Sequence, residues 1–368
     1  MTVCELDKCA GCMACVDACP KEAITIQDSL VSYNAIIDEK KCVNCNMCRK
    51  VCQYNNPSTL RKPIEWHQGW AEDGQVRKNS SSGGAAITIA EYFLDLGGVV
   101  FACVFRDGKF IFDVARKKEE LIKFAGSKYV KSNPIGAYKA VKDLLVIGEK
   151  VLFIGLPCQV SSMLNYVGEK LTSDLYTIDL ICHGSPSPQI LDIFLKQYKT
   201  KLSTFTDISF RIKAKYMVYG NKKGIITNGV SDRYSIAFIN SLICTENCYS
   251  CRYAGIERVS DITLGDSWGS ELPIQEQKKG ISLVLCQTDK GKELLHNARL
   301  CLHPVDLKKA IDNNHQLRHP SIEHHRRKEF FKRLMNESFN VLVFKMLPKQ
   351  CMRQDLKQLL LRLRVISN

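Results

Sequence analysis

Cys9-Ala-Gly-Cys12-Met-Ala-Cys15-Val-Asp-Ala-Cys19-Pro20 is followed by a second copy of its spacing, Cys42-Val-Asn-Cys45-Asn-Met-Cys48-Arg-Lys-Val-Cys52. This repeated C-x2-C-x2-C-x3-C pattern decides how the first 56 residues fold. Between the copies, Ala23-Ile-Thr-Ile26 and Ala35-Ile-Ile37 read as the two strands of a hairpin. The chain has 368 residues and 18 cysteines, and half of the cysteines precede residue 53. Hydrophobic residues make up 45% and charged residues 24%, which supplies ample core material. The length suggests two or three domains. Bulk composition is therefore ordinary, and the thiols need the explanation: disulfides, zinc or iron–sulfur clusters.

Compartment narrows the choice. Met1-Thr-Val-Cys-Glu-Leu-Asp-Lys8 lacks a basic segment followed by an apolar one, so no signal peptide is read. No apolar run approaches the ~18 residues of a membrane span. A cytoplasmic location is expected, where structural disulfides are rare and clustered cysteines bind metal. Zinc takes four ligands per site and gives no reason for third and fourth cysteines at these offsets, twice over. The run is the bacterial-type ferredoxin signature, in which the fourth cysteine of each copy serves the other cluster. By that rule Cys9, Cys12, Cys15 and Cys52 hold one [4Fe–4S] cluster, and Cys42, Cys45, Cys48 and Cys19 hold another. Gln53, not proline, follows Cys52, a departure that removes no ligand. Cys4 lies outside both runs and reads as a spare thiol.

Beyond a linker at 57–75, helical and strand patterns alternate. Helices are read at Ala85–Leu96, Ala137–Ile147 and Ile190–Tyr198. Strands are read at Val99–Phe105, Val151–Gly155, Leu175–Ile181 and Ile281–Cys286. Apolar runs separated by helices predict an α/β domain with a largely parallel or mixed sheet over 76–300, after the α+β ferredoxin-like module at 1–56. An antiparallel excursion fits 200–240. Residues 301–368 read as a helical, basic C-terminal region. From His315 to Asn368, Lys and Arg number 12 against 4 Asp and Glu, or +8 of the formal +14. That tail suits a solvated helix, an acidic protein, an anionic substrate or a peripheral membrane contact. No recognised nucleic-acid-binding motif accompanies it, so no nucleic-acid partner is expected.

A second cysteine set is dispersed. Cys158 follows one predicted parallel strand in Gly155-Leu-Pro-Cys-Gln159, and Cys182 follows another in Ile181-Cys-His-Gly-Ser-Pro186. Ligands bind at that carboxyl edge in open α/β sheets. Cys244, Cys248 and Cys251 stand together in Cys244-Thr-Glu-Asn-Cys248-Tyr-Ser-Cys251. Spacing alone leaves a third [4Fe–4S] cluster, zinc and unligated thiols open. Cys103, Cys286, Cys301 and Cys351 lie in apolar patterns and read as small buried hydrophobes. Ser80-Ser-Ser-Gly-Gly84 opens a helix. Its free amides and dipole make either an anion site or a plain N-cap.

Taken in order, the ferredoxin module, Ser-Ser-Gly-Gly84, Gly126-Ser-Lys-Tyr129, Leu156-Pro-Cys-Gln159, Cys182-His-Gly184, the Cys248/Cys251 pair and Asp261-Ile-Thr-Leu-Gly-Asp-Ser-Trp-Gly269 resemble the coenzyme F420 hydrogenase/dehydrogenase beta-subunit family. The resemblance covers nearly the whole chain. It implies an iron–sulfur flavoprotein carrying FAD and a third [4Fe–4S] cluster on Cys158, Cys182, Cys248 and Cys251, with Cys244 as a substitute ligand. It implies FAD contacts from Ser82, Gly83 and Gly84 and from Gly126, Ser127, Lys128 and Tyr129. His183 is expected to shape its turn or to relay a proton, Arg211 and Lys213 to face either an anionic substrate or solvent, and Asp266 and Trp268 to position the C-x2-C loop. The implied activity is an oxidoreductase exchanging single electrons with a ferredoxin-like or other redox protein and two electrons with a small organic substrate or a deazaflavin. Members of the family also reduce chlorophyll-type pigments or accompany surface-polysaccharide synthesis. The competing expectation is a non-catalytic electron-transfer subunit of a larger complex.

Overall fold

The computed structural model describes residues 1–221, 223–227 and 229–366. In the cysteine-rich module, β1 (Ile24–Asp28) and β2 (Tyr33–Ile37) pair antiparallel as a hairpin, flanked by short helices at Ala14–Asp17 and Met47–Val51. The remaining strands are β3 (Glu65–Ala71), β4 (Val99–Arg106), β5 (Lys109–Ala115), β6 (Val151–Gly155), β7 (Leu175–Leu180), β8 (Ile208–Ile212), β9 (Lys215–Gly220), β10 (Lys223–Gly224), β11 (Ile262–Asp266), β12 (Ser282–Cys286) and β13 (Leu300–His303).

Eight of these form one mixed sheet in the order β13-β3-β12-β11-β7-β6-β4-β5. Its centre, β4, β6, β7 and β11, runs parallel, and antiparallel neighbours extend both edges. Among the central strands, β4 and β6 are near-continuous apolar runs because helices cover both faces. Val151, Leu152 and Phe153 of β6 are all fully buried. Against one face, the helix Ala85–Asp95 presents Ala85, Ile89, Ala90 and Phe93 to Val100, Leu152 and Ile178. Against the other, the helices Ala137–Val146 and Pro157–Val167 pack in a core that continues into the cysteine-rich module. The antiparallel excursion expected over 200–240 is the three-stranded sheet β8-β9-β10.

Two boundaries differ from the sequence reading. The linker assigned to 57–75 contains β3, which lies between β12 and β13 inside the main sheet. Polar and turn-forming residues up to Pro63 mask the strand that follows, Glu-Trp-His-Gln-Gly-Trp-Ala. The C-terminal region is not wholly helical from 301, because β13 runs to His303 before the helices begin. Within the Asp261–Gly269 motif, Ile262–Asp266 is β11, a strand that pairs with both β7 and β12.

A buried ion pair ties the sheet to the loop carrying Cys248 and Cys251. Arg258 and Asp179 are 1% and 0% exposed and lie 2.9 Å apart. Arg258 also donates to the carbonyls of Tyr253 and Leu180, and its backbone pairs with Arg61. Replacing Arg258 with Met strands the Asp179 carboxylate in the core. This should cost about 3–5 kcal/mol of stability in denaturant unfolding of the anaerobically prepared protein. Converting Asp179 to Leu in the same variant should restore most of the loss.

Candidate metal and cofactor site

The repeat in the sequence is a repeat in the backbone. Gly11 and Asn44 occupy equivalent positions and are both left-handed, with φ of 67° and 55°. Met13 and Asn46, also equivalent, have φ of 62° and 59°. Glycine and asparagine are the residue types that adopt this conformation most readily. Its effect is to turn the amide of residue i+2 onto the first cysteine of each copy. Gly11 donates to Cys9 Sγ and Asn44 to Cys42 Sγ, each at 3.4 Å.

The eight cysteines separate into two cavities. Cys9, Cys12, Cys15 and Cys52 line one, together with Cys4. Cys19, Cys42, Cys45 and Cys48 line the other, whose wall includes the exposed Cys45. Each cavity therefore takes three thiols from one copy and the fourth from the other, the crossing that the ferredoxin rule requires. Cys4 is more than a bystander, since it packs against Cys9 and Cys52 at the inner cavity.

Cys158, Cys182, Cys248 and Cys251 line a third cavity at the carboxyl edge of the main sheet. Cys158 enters it from the first turn of the helix Pro157–Val167, just after β6. Cys182 lies two residues past β7, and Gly184 donates to its Sγ at 3.3 Å. This is the same i+2 amide-to-sulfur bond found in the cysteine-rich module. Cys248 lies in the turn Glu246–Ser250, and Cys251 caps it. Cys244 is fully buried in the apolar core behind the turn and does not line the cavity. A Cβ at Gly184 would come within 2.8 Å of its sulfur, so Cys244 acts as packing against that glycine.

Burial pushes the Cys158 thiol well up and Cys182 to about 12, with the neighbouring thiols adding to both shifts. Burial likewise pushes Cys12 up to about 12. Such sulfurs become thiolates only when a bound cation offsets the cost. A single zinc ion would draw four sulfurs to roughly 3.8 Å of one another, given Zn–S bonds near 2.3 Å. Among the described residues, the group of three donors that converges within 4.8 Å is Glu65, His67 and His296, not a set of cysteines. The cysteine sulfurs do not converge this closely, so their spacing is wider than a single zinc ion requires.

The inner cavity of the module and the third cavity share a wall formed by Ala10, Gln53 and Tyr54. Lys131 crosses this boundary. It is buried, its Nζ donates to the Ala10 carbonyl at 2.8 Å and to Ser185 Oγ at 3.3 Å, and its side chain lines the third cavity. Ser162, from the helix that carries Cys158, donates to Cys12 Sγ at 3.0 Å. Sequence reading does not single out Lys131 or Ser162. The available signal was Lys131's position, two residues beyond Gly126-Ser-Lys-Tyr129.

The proposed flavin segments also meet. Ser127 donates its amide to Ser81 Oγ at 2.8 Å. Lys213 Nζ binds the carbonyls of Arg77, Ser80 and Ser82 at 2.5, 2.8 and 3.0 Å, which fixes a cation under the serine loop. Gly83 serves close packing, because a Cβ there would meet the Gly69 carbonyl and lie 2.7 Å from the Ser282 amide. Ser82 Oγ is engaged by the Ile281 carbonyl. Gly84 is left-handed at the N-cap of the helix Ala85–Asp95, and Gly126 is left-handed as well. Lys128 Nζ is held by the carbonyls of Phe124 and Ala125. Tyr129 stacks on Tyr216 and Phe238. Arg211 is paired bidentately with Asp266 and lies over Tyr216 and Trp268. Asp266 and Trp268 thus hold Arg211 rather than the C-x2-C loop. Phe238 also packs edge-on to His183, so an aromatic path joins Tyr129 to the residue beside Cys182. His183 Nδ1 faces Gln316, and its Nε2 faces the Phe238 carbonyl, as expected of a turn-shaping residue.

Comparison with known proteins identifies the family. Residues 8–56 match the 4Fe-4S dicluster domain, 66–138 the N-terminal model of the coenzyme F420 hydrogenase/dehydrogenase beta subunit, and 148–305 its C-terminal model. The chain is 24% identical over 314 residues to the coenzyme F420-dependent sulfite reductase of Methanocaldococcus jannaschii, covering 79% of this chain and 46% of that protein. It thus spans about half the length of that relative. It is 27% identical over 340 residues to an uncharacterized protein of the same organism, covering 80% of this chain and 87% of that one. A chain of the F420-reducing [NiFe] hydrogenase complex from Methanosarcina barkeri shares the fold, with a TM-score of 0.51 and 21% identity over 69% of this chain and 91% of that one. Dicluster module, mixed sheet and both family models together place the chain in the coenzyme F420 hydrogenase/dehydrogenase beta-subunit family, a family of iron–sulfur oxidoreductases.

Proposed function

We propose that the chain is an iron–sulfur flavoprotein oxidoreductase that joins a one-electron redox partner to a two-electron substrate. The observation that carries this reading is the shared wall between the inner cavity and the third cavity. The three thiol-lined spaces run in sequence from the exposed Cys45, through Cys12, to the sheet edge beside Cys182. [4Fe–4S] clusters supply one-electron steps and FAD both one- and two-electron steps, while the protein orients them and sets their electrostatics. Cys9, Cys12, Cys15 and Cys52 would hold one cluster, Cys19, Cys42, Cys45 and Cys48 a second, and Cys158, Cys182, Cys248 and Cys251 a third. Gly11, Asn44 and Gly184 donate amide hydrogens to the bound sulfurs, which lowers the cost of their negative charge. Ser82, Gly83, Gly84, Gly126, Ser127, Lys128 and Tyr129 would border FAD. Lys213 brings positive charge to that border, where Arg211 is paired with Asp266, and Tyr129 and Tyr216 give it an aromatic face. The relatives named for coenzyme F420 support a deazaflavin as the two-electron partner. A ferredoxin-like protein would meet the side of the module where Cys45 and Val43 are exposed.

Anaerobic purification with metal and flavin analysis tests the assignment. About 12 irons and one FAD per chain are expected, four irons for each cubane. Cys158→Ser should lose about four irons and keep the dicluster signal. Zinc without flavin, or an unchanged iron count in the variant, would overturn it. Bleaching of coenzyme F420 by the isolated chain with a chemical reductant would separate an enzyme from an electron-transfer subunit.

Lys131 offers a second test. Its charge stabilises an added electron on either side of the shared wall, so Lys131→Met should lower the potential of a neighbouring cluster by about 50–100 mV, equivalent to ~1–2 kcal/mol for one electron. Redox titration followed by electron paramagnetic resonance reads this directly, and a potential unmoved by the substitution would remove Lys131 from the site.

A further inference from the structure

The C-terminal helix Pro348–Arg362 is inverted in polarity. Apart from Cys351, which is fully buried in the core, its inward side is polar and bonded to Thr227, Gly229, Ser231 and Arg233. Gln354 accepts from the Ser231 amide at 3.1 Å, and Asp355 pairs with Arg233 at 2.8 Å. Lys357 donates to the Gly229 carbonyl at 2.6 Å, and Gln358 to Thr227 at 3.0 Å. Its outward side is apolar. Met352, Leu356, Leu359 and Leu363 are 59%, 59%, 51% and 63% exposed. Their spacing of i, i+4, i+7 and i+11 places them within an arc of about 60° at 100° per residue. Val365 and Ile366 continue the exposed apolar surface to the end of the described chain. A surface helix ordinarily does the reverse, and a contiguous exposed apolar row marks a contact surface.

The charges around the row identify what it contacts. Lys349, Arg353, Arg362 and Arg364 are exposed along it. Among the described residues, none of the four is in an ion pair, and the helix's one acid, Asp355, is already taken by Arg233. The apolar row lies on the side of the helix away from Asp355 and Gln358. The nearby cavity, lined by Val230, Arg233, Val341 and Phe344, also includes Asp355 and Gln358 from the helix's engaged side. A second copy of the chain would bring the unpaired cations against their own equivalents. A fluid anionic surface satisfies both the cations and the exposed apolar row.

We propose that this helix seats the protein peripherally on an anionic phospholipid bilayer. Met352, Leu356, Leu359 and Leu363 enter the boundary between headgroups and acyl chains, and Lys349, Arg353, Arg362 and Arg364 meet lipid phosphates. Among the described residues no helix is long and apolar enough to cross a membrane, so the attachment is to one leaflet.

Co-sedimentation of the holoprotein with vesicles tests this, using phosphatidylcholine alone and phosphatidylcholine mixed with phosphatidylglycerol. Binding is expected to the mixed vesicles, about tenfold tighter than to the neutral ones and weakened by salt. Leu356→Glu with Leu359→Glu should abolish it. Arg353→Glu with Arg362→Glu should weaken it by about tenfold or more, at about 1 kcal/mol for each cation removed. All these residues are exposed, so iron and flavin content should match the unaltered protein and report an intact fold. Failure to bind anionic vesicles, or equal binding by the leucine variant, overturns the proposal. So does a dimer in light scattering that the leucine variant disperses, which would assign the row to a second copy.

Discussion

Cys12 lies where two folds meet, and the rest of the arrangement depends on that seating. Its carbonyl accepts a hydrogen bond of 2.7 Å from Tyr138, a residue buried under the main sheet, and its sulfur accepts one from Ser162. On the same boundary Lys131 reaches the Ala10 carbonyl, and Asp17 accepts the Gly136 amide. A single apolar core runs from Cys12 and Cys15 through Tyr138 to Val160. The cysteine-rich module is thus part of the α/β body rather than a bead on a tether. Were it tethered, the distance between the thiol-lined cavities would fluctuate with the chain between them. Packed as it is, that distance is fixed at the thickness of one wall of side chains.

What could be read from sequence follows how local the determinants are. The dicluster module was legible because its donors and turns fall within short runs, and Gly11 and Asn44 carry the backbone requirement in their residue types. The central strands β4 and β6 were legible because burial on both faces leaves near-unbroken apolar runs, and β7 because Thr177 and Asp179 are its only polar interruptions. Strand β3 was hidden, since Glu65, His67 and Gln68 give it a polar outline, and its place between β12 and β13 is set by pairing partners more than 200 residues away. The dispersed cysteines lay between these cases. Cys158 and Cys182 could be placed at strand ends, but only the fold brings Cys248 and Cys251 beside them and sets Cys244 behind.

The same local device recurs at unrelated points of the chain. In Cys9-Ala-Gly11, Cys42-Val-Asn44 and Cys182-His-Gly184, a left-handed residue two positions after a cysteine turns its amide onto the sulfur. Backbone amides are donors that cannot be deprotonated and need no side-chain entropy to hold in place. Their use beside each sulfur set leaves side chains such as Lys131 free to distinguish one cavity from the next. The sheet contributes in the same way at Asp179 and Arg258, where a buried pair holds the end of β7 against the turn bearing Cys251.

The ancestry of the sulfurs in each cavity also sets a timetable for biogenesis. The outer cavity is complete once the chain has been made to Cys48, and the inner one needs Cys52. The third draws on Cys158, Cys182, Cys248 and Cys251, so it does not exist until β6, β7 and the loop held by Arg258 have come together. Closing loops of that length is slow relative to forming a hairpin. A nascent chain can therefore accept its first metal while the ribosome is still far from the stop codon. Under the proposed assignment the third cavity could be filled only after the chain has been made past Arg258.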